Sequence, residues 1–277
     1  MRSYRTYVDS RWGQIHARVD GEGHDHTVLL LHKMVWSSLT FKHAQPLLAD
    51  RSVRSVAVDL PGYGLSDKPD SCPTAEEYAA SLIPVLDHFG LKSVSLLGDH
   101  TGATFAAILA DIYPDRVDRL ILDGPPLFDA EIRRKLLTAP HYDAALEDDA
   151  GHFVRRWRTV SSSLPGSISI EALHQAVTQF FLAGAEEWYG HDAIFRYDLT
   201  AALTRLTLPV LILTNPGDTL YREAHAVKEL RPDFSLVDLG WAGSQAAYDA
   251  PGPWSDAVAA FVRGRCYADD HATRIGF

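Results

Sequence analysis

Ser93-Val94-Ser95-Leu96-Leu97-Gly98-Asp99-His100-Thr101-Gly102-Ala103-Thr104-Phe105-Ala106-Ala107-Ile108-Leu109-Ala110 is the stretch whose reading decides the fold. Its first five residues have the make-up of a short buried strand, and residues 103–110 continue as an apolar helix. Gly98 and Gly102 lie between, where a missing Cβ lets the backbone turn sharply, so the spacing predicts strand, tight corner and helix. In the G-x-S-x-G form of this corner, the central side chain stands exposed above a sheet. Here that residue is His100, an imidazole where the pattern carries a hydroxyl. A chain that keeps the corner and changes its centre keeps the pocket and changes the chemistry.

The same alternation runs outward from the corner. Residues 4–8 and 15–19 read as a hairpin around Asp9-Ser10-Arg11-Trp12-Gly13, and Asp20-Gly21-Glu22-Gly23 as a turn. Residues 27–31 are an unbroken apolar run, the sign of a strand covered on both faces. Residues 55–58 form a strand leading into Asp59-Leu60-Pro61-Gly62-Tyr63-Gly64-Leu65-Ser66. A helix starts at Pro73-Thr74-Ala75-Glu76-Glu77, with Thr74 and Glu77 as a capping box, and runs to Phe89 with Gly90 ending it. Residues 119–123 are a strand stopped by Gly124-Pro125-Pro126.

From Leu127 to Leu206 the strand runs stop and helical periodicity takes over, at residues 131–137, 153–160 and 171–182. Strands resume at residues 210–214 and 234–238, and residues 254–262 form a last helix. The expectation is an α/β fold: a mostly parallel, doubly wound sheet with an inserted helical cap. The core would comprise residues 1–126 and 207–277, and the cap residues 127–206.

The 277 residues are 46% hydrophobic and 22% charged, enough for one large core, with a net charge of −10. That balance excludes the basic footprint of a nucleic-acid binder. Cys72 and Cys266 make neither a disulfide framework nor a metal-ligand spacing. No window approaches the ~18 uninterrupted apolar residues of a membrane span. Residues 1–7 lack the apolar region of a secretion signal, so the expected location is cytoplasmic.

Four blocks in order make the chain resemble the α/β-hydrolase fold superfamily, in its capped branch, over residues 4–262. They are Leu31-His32-Lys33-Met34 after the first buried strand, residues 59–66, the corner, and Asn215-Pro216-Gly217-Asp218 after a late strand. The resemblance implies an oxyanion hole from the backbone N–H groups of Met34 and Thr101. It places the triad acid at Asp218. The family's late histidine would fall in residues 239–248, but no histidine occurs between His225 and His271. Aligning Gly243 with the glycine that usually precedes that histidine puts Ser244 in its place. Histidine and serine have changed places, so an ordinary Ser-His-Asp acyl-enzyme route is excluded at the usual positions.

The expected function is therefore a cofactor-independent enzyme, with no metal, that is not a serine hydrolase. His100 would be a general acid/base acting on a small apolar or aromatic carbonyl compound, with Asp218 and Ser244 orienting or assisting. Lyase, cyclisation, addition and C–C bond chemistry all suit that set, as in serine-less relatives of natural-product biosynthesis. The alternatives are hydrolysis of an ester or C–C bond by His100-activated water or by Ser244, and a non-catalytic small-molecule binder. His100 as nucleophile ranks low, because acyl-imidazoles are labile. Asp123 competes with Asp218 as partner of His100, and His32 reads as structural. Asp99 precedes the central corner position, so it bonds the turn or tunes His100. Lys33 reads as solvent-facing, with a cation beside the site as the other reading. Candidates for the pocket wall are Lys33, Asp99, Trp36, Trp157, Trp188, Tyr189, Trp241 and Tyr248.

Overall fold

An unbroken apolar run can be a strand only if both its faces are covered, and residues 28–31 show how. Leu29 and Leu31 pack into one apolar core, Val28 and Leu30 into another on the opposite face. The structure is a computed structural model that describes residues 3–141, 145–164, 168–240 and 242–265. Its strands are β1 (Tyr4–Ser10), β2 (Gly13–Asp20), β3 (His26–Leu31), β4 (Val53–Val58), β5 (Val94–Asp99), β6 (Val117–Asp123), β7 (Val210–Thr214) and β8 (Ser235–Asp238). They form an eight-stranded sheet in the order β1-β2-β4-β3-β5-β6-β7-β8. β1 and β2 are an antiparallel hairpin, β2 pairs antiparallel with β4, and the other pairings are parallel.

The α-helices are α1 (Ala44–Asp50), α2 (Ala75–Ala80), α3 (Ile83–His88), α4 (Thr101–Ile112), α5 (Ala130–Leu137), α6 (Gly151–Ser163), α7 (Ile170–Ala183), α8 (Tyr189–Arg196), α9 (Leu199–Arg205), α10 (Tyr221–Leu230), α11 (Ala246–Asp249) and α12 (Pro251–Val262). α1 and α12 cover one face through Leu48, Trp254 and Val258. α2, α3, α4 and α10 cover the other through Tyr78, Leu86, Phe105 and Val227. β4 lies on one side of β3 and β5 on the other, so the order of travel reverses there. A crevice opens outside the strand ends at such a point, and the loops after β3 and β5 meet in it.

Between β6 and β7 the chain inserts α5 to α9. This insertion is fastened to the core by the buried Tyr63 hydroxyl, which donates to the Glu187 carbonyl at 2.9 Å and accepts the Gly190 N–H at 2.8 Å. A small apolar cluster of Trp36, Ala172, Ala176 and Tyr248 joins α7 to the loop after β3.

Three details correct the sequence reading. The helix expected over residues 73–89 is two helices, because Pro84 sits in the first turn of α3. A proline there would clash with the carbonyl four residues back if the helix were continuous. The hairpin turn is tighter than expected, with Ser10 paired to Gly13 and only Arg11 and Trp12 between. β5 runs on through Gly98 and Asp99 into the corner itself. The Thr74–Glu77 capping box is present, with reciprocal bonds of 3.2 and 3.0 Å. Among the described residues no helix is long and apolar enough to cross a membrane.

Candidate active site

The corner is as tight as its glycines imply. A Cβ on Gly98 would run into the Gly102 carbonyl, and one on Gly102 into the Leu31 carbonyl. Between them His100 takes φ 48° and ψ −109°, a left-handed conformation that L residues rarely adopt. Its N–H donates to the Asp123 carbonyl and its carbonyl accepts from the Ala103 N–H, both at 2.8 Å. The imidazole is thereby held at the start of α4.

Asp218 sits in the turn after β7, where its N–H donates to the Asn215 carbonyl at 3.0 Å and its Oδ1 accepts the Leu220 N–H at 2.7 Å. Both its carboxylate oxygens lie 2.9 Å from His100 Nε2. Gly124 makes the room, since a Cβ there would approach His100 Nε2 to 2.8 Å and Asp218 Oδ2 to 2.9 Å. Burial alone would raise the Asp218 carboxyl, but the charge and hydrogen bond of His100, then Lys33 and the Leu220 amide, hold it at about 2. Burial likewise works against the imidazolium, as does the charge of Lys33. The charge and hydrogen bond of Asp218, with Asp99, prevail and set His100 above its ordinary value. An ionised carboxylate only accepts, so Nε2 carries the proton toward Asp218, and the neutral ring keeps its lone pair on Nδ1.

Asp123 does not partner His100 through its side chain. Its Oδ2 accepts the Trp254 indole N–H at 2.7 Å. Burial, followed by the nearby Asp99, pushes its carboxyl up to about 7. The reading of Lys33 as solvent-facing is overturned, for only 6% of its surface is exposed. Its ammonium donates to the Ser244 carbonyl at 2.9 Å and lies 3.6 Å from Asp99 Oδ2. A buried lysine needs such partners, and these tie the loop after β3 to the corner and to the loop after β8. Asp99 therefore pairs with Lys33, besides raising His100 through its own charge.

The two-donor oxyanion hole is not open in this structure. The Met34 N–H donates to Thr101 Oγ1 at 2.8 Å, so the side chain of one expected donor residue occupies the amide of the other. His32 holds the loop, with Nδ1 donating to the Lys33 carbonyl at 2.8 Å and Nε2 accepting the Leu60 N–H at 2.9 Å.

A cavity of about 180 Å³ opens over the corner, lined by His100, Lys33, Met34, Trp36 and Ser244 from the core and by Arg156 from α6. The structure thus brings His100, Asp218, Lys33, Met34, Trp36 and Ser244 together. It does not bring in Trp188, which lines two other clefts and packs against His141 in a tilted pair at 4.3 Å and against Tyr189 edge-on at 4.8 Å. Trp157 and Tyr189 are not among the residues lining this cavity. Tyr248 supports Trp36 edge-on at 5.7 Å and donates its hydroxyl to Glu171 at 2.9 Å. Trp241 lies outside the described residues. Arg156 was missed: a charged residue on a helix full of polar neighbours carries no sequence signal for a pocket. Among the described residues no three His, Cys, Asp or Glu side chains are grouped to hold a metal ion.

Comparisons with known proteins agree with this fold. Residues 26–165 match the family model for the alpha/beta hydrolase fold. A serine hydrolase-like protein of Danio rerio is 35% identical over 113 residues, which are 40% of this chain and 34% of that protein. A 2-(acetamidomethylene)succinate hydrolase of Mesorhizobium japonicum is 27% identical over 81% of this chain and 84% of its own length. The solved structure of an epoxide hydrolase from Vigna radiata superposes with a TM-score of 0.77 at 19% identity, covering 95% of this chain and 98% of that one. The relatives carry hydrolase names, and the family match takes in the corner, the loop after β3 and the strands that position them. On this sheet order and this matched half of its length, the chain belongs to the α/β-hydrolase fold family.

Proposed function

We propose that this α/β-hydrolase-fold enzyme is not a serine hydrolase and works by general acid/base catalysis through a His100–Asp218 dyad. The observation that carries the reading is the pair of 2.9 Å contacts from His100 Nε2 to the Asp218 carboxylate. Asp218 fixes the tautomer and favours the imidazolium that forms when Nδ1 accepts a proton. The substrate is a small, partly apolar carbonyl compound held in the cavity between the corner and α6. Nδ1 removes a proton beside the carbonyl and returns it to a carbanion or leaving group, which leads to elimination, addition or C–C cleavage without a covalent enzyme intermediate. A second reading is favoured by the hydrolase names of the relatives: Nδ1 deprotonates a water that attacks the carbonyl.

Replacement of His100 by Ala lowers turnover about 10²–10⁴-fold, the usual contribution of a positioned acid/base. A serine-directed fluorophosphonate leaves the protein unlabelled. Unchanged turnover in the variant, or stoichiometric labelling of Ser244, overturns the dyad. Reaction in ¹⁸O-labelled water separates the two readings: label in the product assigns hydrolysis, and unlabelled product assigns the lyase-type route.

A further inference from the structure

A second cavity, of about 250 Å³, lies among the inserted helices and shares no lining residue with the cavity over the corner. Positions 188, 191 and 195 are three and four residues apart, so Trp188, His191 and Phe195 fall on one face of α8 and of the residue that starts it. His191 stacks on Phe195 with ring centroids 5.8 Å apart, and His141, beyond the end of α5, packs against Trp188 at 4.3 Å. Four rings thus stand around this cavity, and Leu136 and Leu137 of α5 add an apolar wall.

Glu187 is the lining residue that the packing does not account for. It is only 8% exposed, and its backbone carbonyl is engaged by the Tyr63 hydroxyl. Its carboxylate, in contrast, meets neither a hydrogen-bond donor nor an ion-pair partner among the described residues. Burial raises this carboxyl, and the charge of Arg156 opposes that only in part. A carboxylate so placed is costly and rare unless something pairs with it. The other carboxylate of the wall, Asp192, is already engaged by Arg196 at 2.6 and 3.0 Å. Among the described residues no lysine or arginine lines the cavity. Burial, then the charges of Arg156 and His100, hold His191 at about 4, so its ring is neutral near pH 7 and brings no competing charge.

An acceptor without a counter-ion, ringed by π faces, is matched to a cation. The described residues hold no group of three His, Cys, Asp or Glu side chains for a metal ion, and the leucine wall suits an apolar body. We propose that this cavity is a binding site for a small organic ammonium ion, with its charged nitrogen on Glu187 and its apolar part against Trp188 and Phe195. The ammonium donates a charge-assisted hydrogen bond to the carboxylate, and the ring faces attract the same charge. Neither His100 nor Asp218 takes part.

The test is calorimetric titration of the intact protein with benzylammonium and with its neutral isostere benzyl alcohol, at neutral pH and low salt. Benzylammonium binds at least about tenfold more tightly to the wild-type protein. In Glu187→Gln, which keeps the shape and removes the charge, the preference disappears. In Trp188→Ala both probes bind more weakly. His100→Gly keeps the preference, which separates this site from the catalytic reading; its loss there would put the cation over the corner and overturns the proposal. Equal affinity for the two probes in the wild-type protein, or binding of neither, overturns it too. So does an undiminished preference in a folded Glu187→Gln protein, and, where that variant does not fold, unchanged binding by Trp188→Ala.

Discussion

At the scale of single residues the site is governed by which carboxylate stays ionised. Asp218 and Asp123 both end near the corner, yet one is held at about 2 and the other is pushed up to about 7. The difference is the partner, an imidazole that can take up a charge for Asp218 and an indole N–H that cannot for Asp123. An acid with a raised native value binds an extra proton in the folded state between its ordinary value of ~4 and its native one. Folding stability contributed by Asp123 is therefore present in acid and lost as pH rises through that window. Asp123→Asn keeps an acceptor for Trp254 and carries no charge. Relative to it, the wild-type Tm falls by at least ~2–4 °C between mildly acidic and mildly alkaline pH, about 1 kcal/mol in a chain of this size. Parallel pH dependences of the two proteins would show that Asp123 is not perturbed. The place of Asp218 in the turn after a late strand was legible in the sequence, because the Asn215-Pro216-Gly217-Asp218 block carries it. The environment of Asp123 was not, because the indole that bonds it lies 131 residues away.

At the scale of elements, local pattern and tertiary override can be separated case by case. The apolar runs of β3 and β7 and the capping box of α2 were readable, since each rests on neighbours within a few residues. The break between α2 and α3 turns on one proline inside an otherwise helical pattern. The burial of Lys33 had no local signal at all: a lysine after a strand reads as solvated, and its acceptor is 211 residues away on the loop after β8. That one side chain ties the loop after β3 to the corner and to the loop after β8. Lys33→Met removes the cation that faces the buried Asp99 and the bond from Lys33 to the Ser244 carbonyl. The expected loss of stability is about 3–5 kcal/mol. Because Lys33 holds the His100 value down, its removal also moves the basic form of the imidazole to higher pH. The acidic limb of the pH–rate profile shifts upward with it. A variant that is destabilised while its profile stays in place would reduce Lys33 to a structural tie.

At the scale of the whole molecule, the sheet supplies a rigid floor, the insertion a roof, and the cavity lies between them. The fold class was legible because buried strand runs alternate with helices along the chain. Which roof residues face the floor was not legible: the aromatic candidates Trp188 and Tyr189 pack within the insertion itself, and an arginine lines the cavity instead.

The left-handed backbone of His100 bears on how any substitution there is read. Alanine scanning assumes that truncation removes a side chain and nothing else. At position 100 alanine would inherit the unfavourable φ while losing the contact to Asp218, so its instability would be mistaken for damage to the fold. Glycine loses the same contact but adopts that φ freely. The ordinary ranking, in which glycine is the weaker residue by about 0.5–1 kcal/mol in regular structure, is inverted here. His100→Gly melts ~2–4 °C above His100→Ala, and a lower melting point for glycine would mean the corner relaxes once the imidazole is gone. Glycine is thus the reference from which the worth of the imidazole is measured.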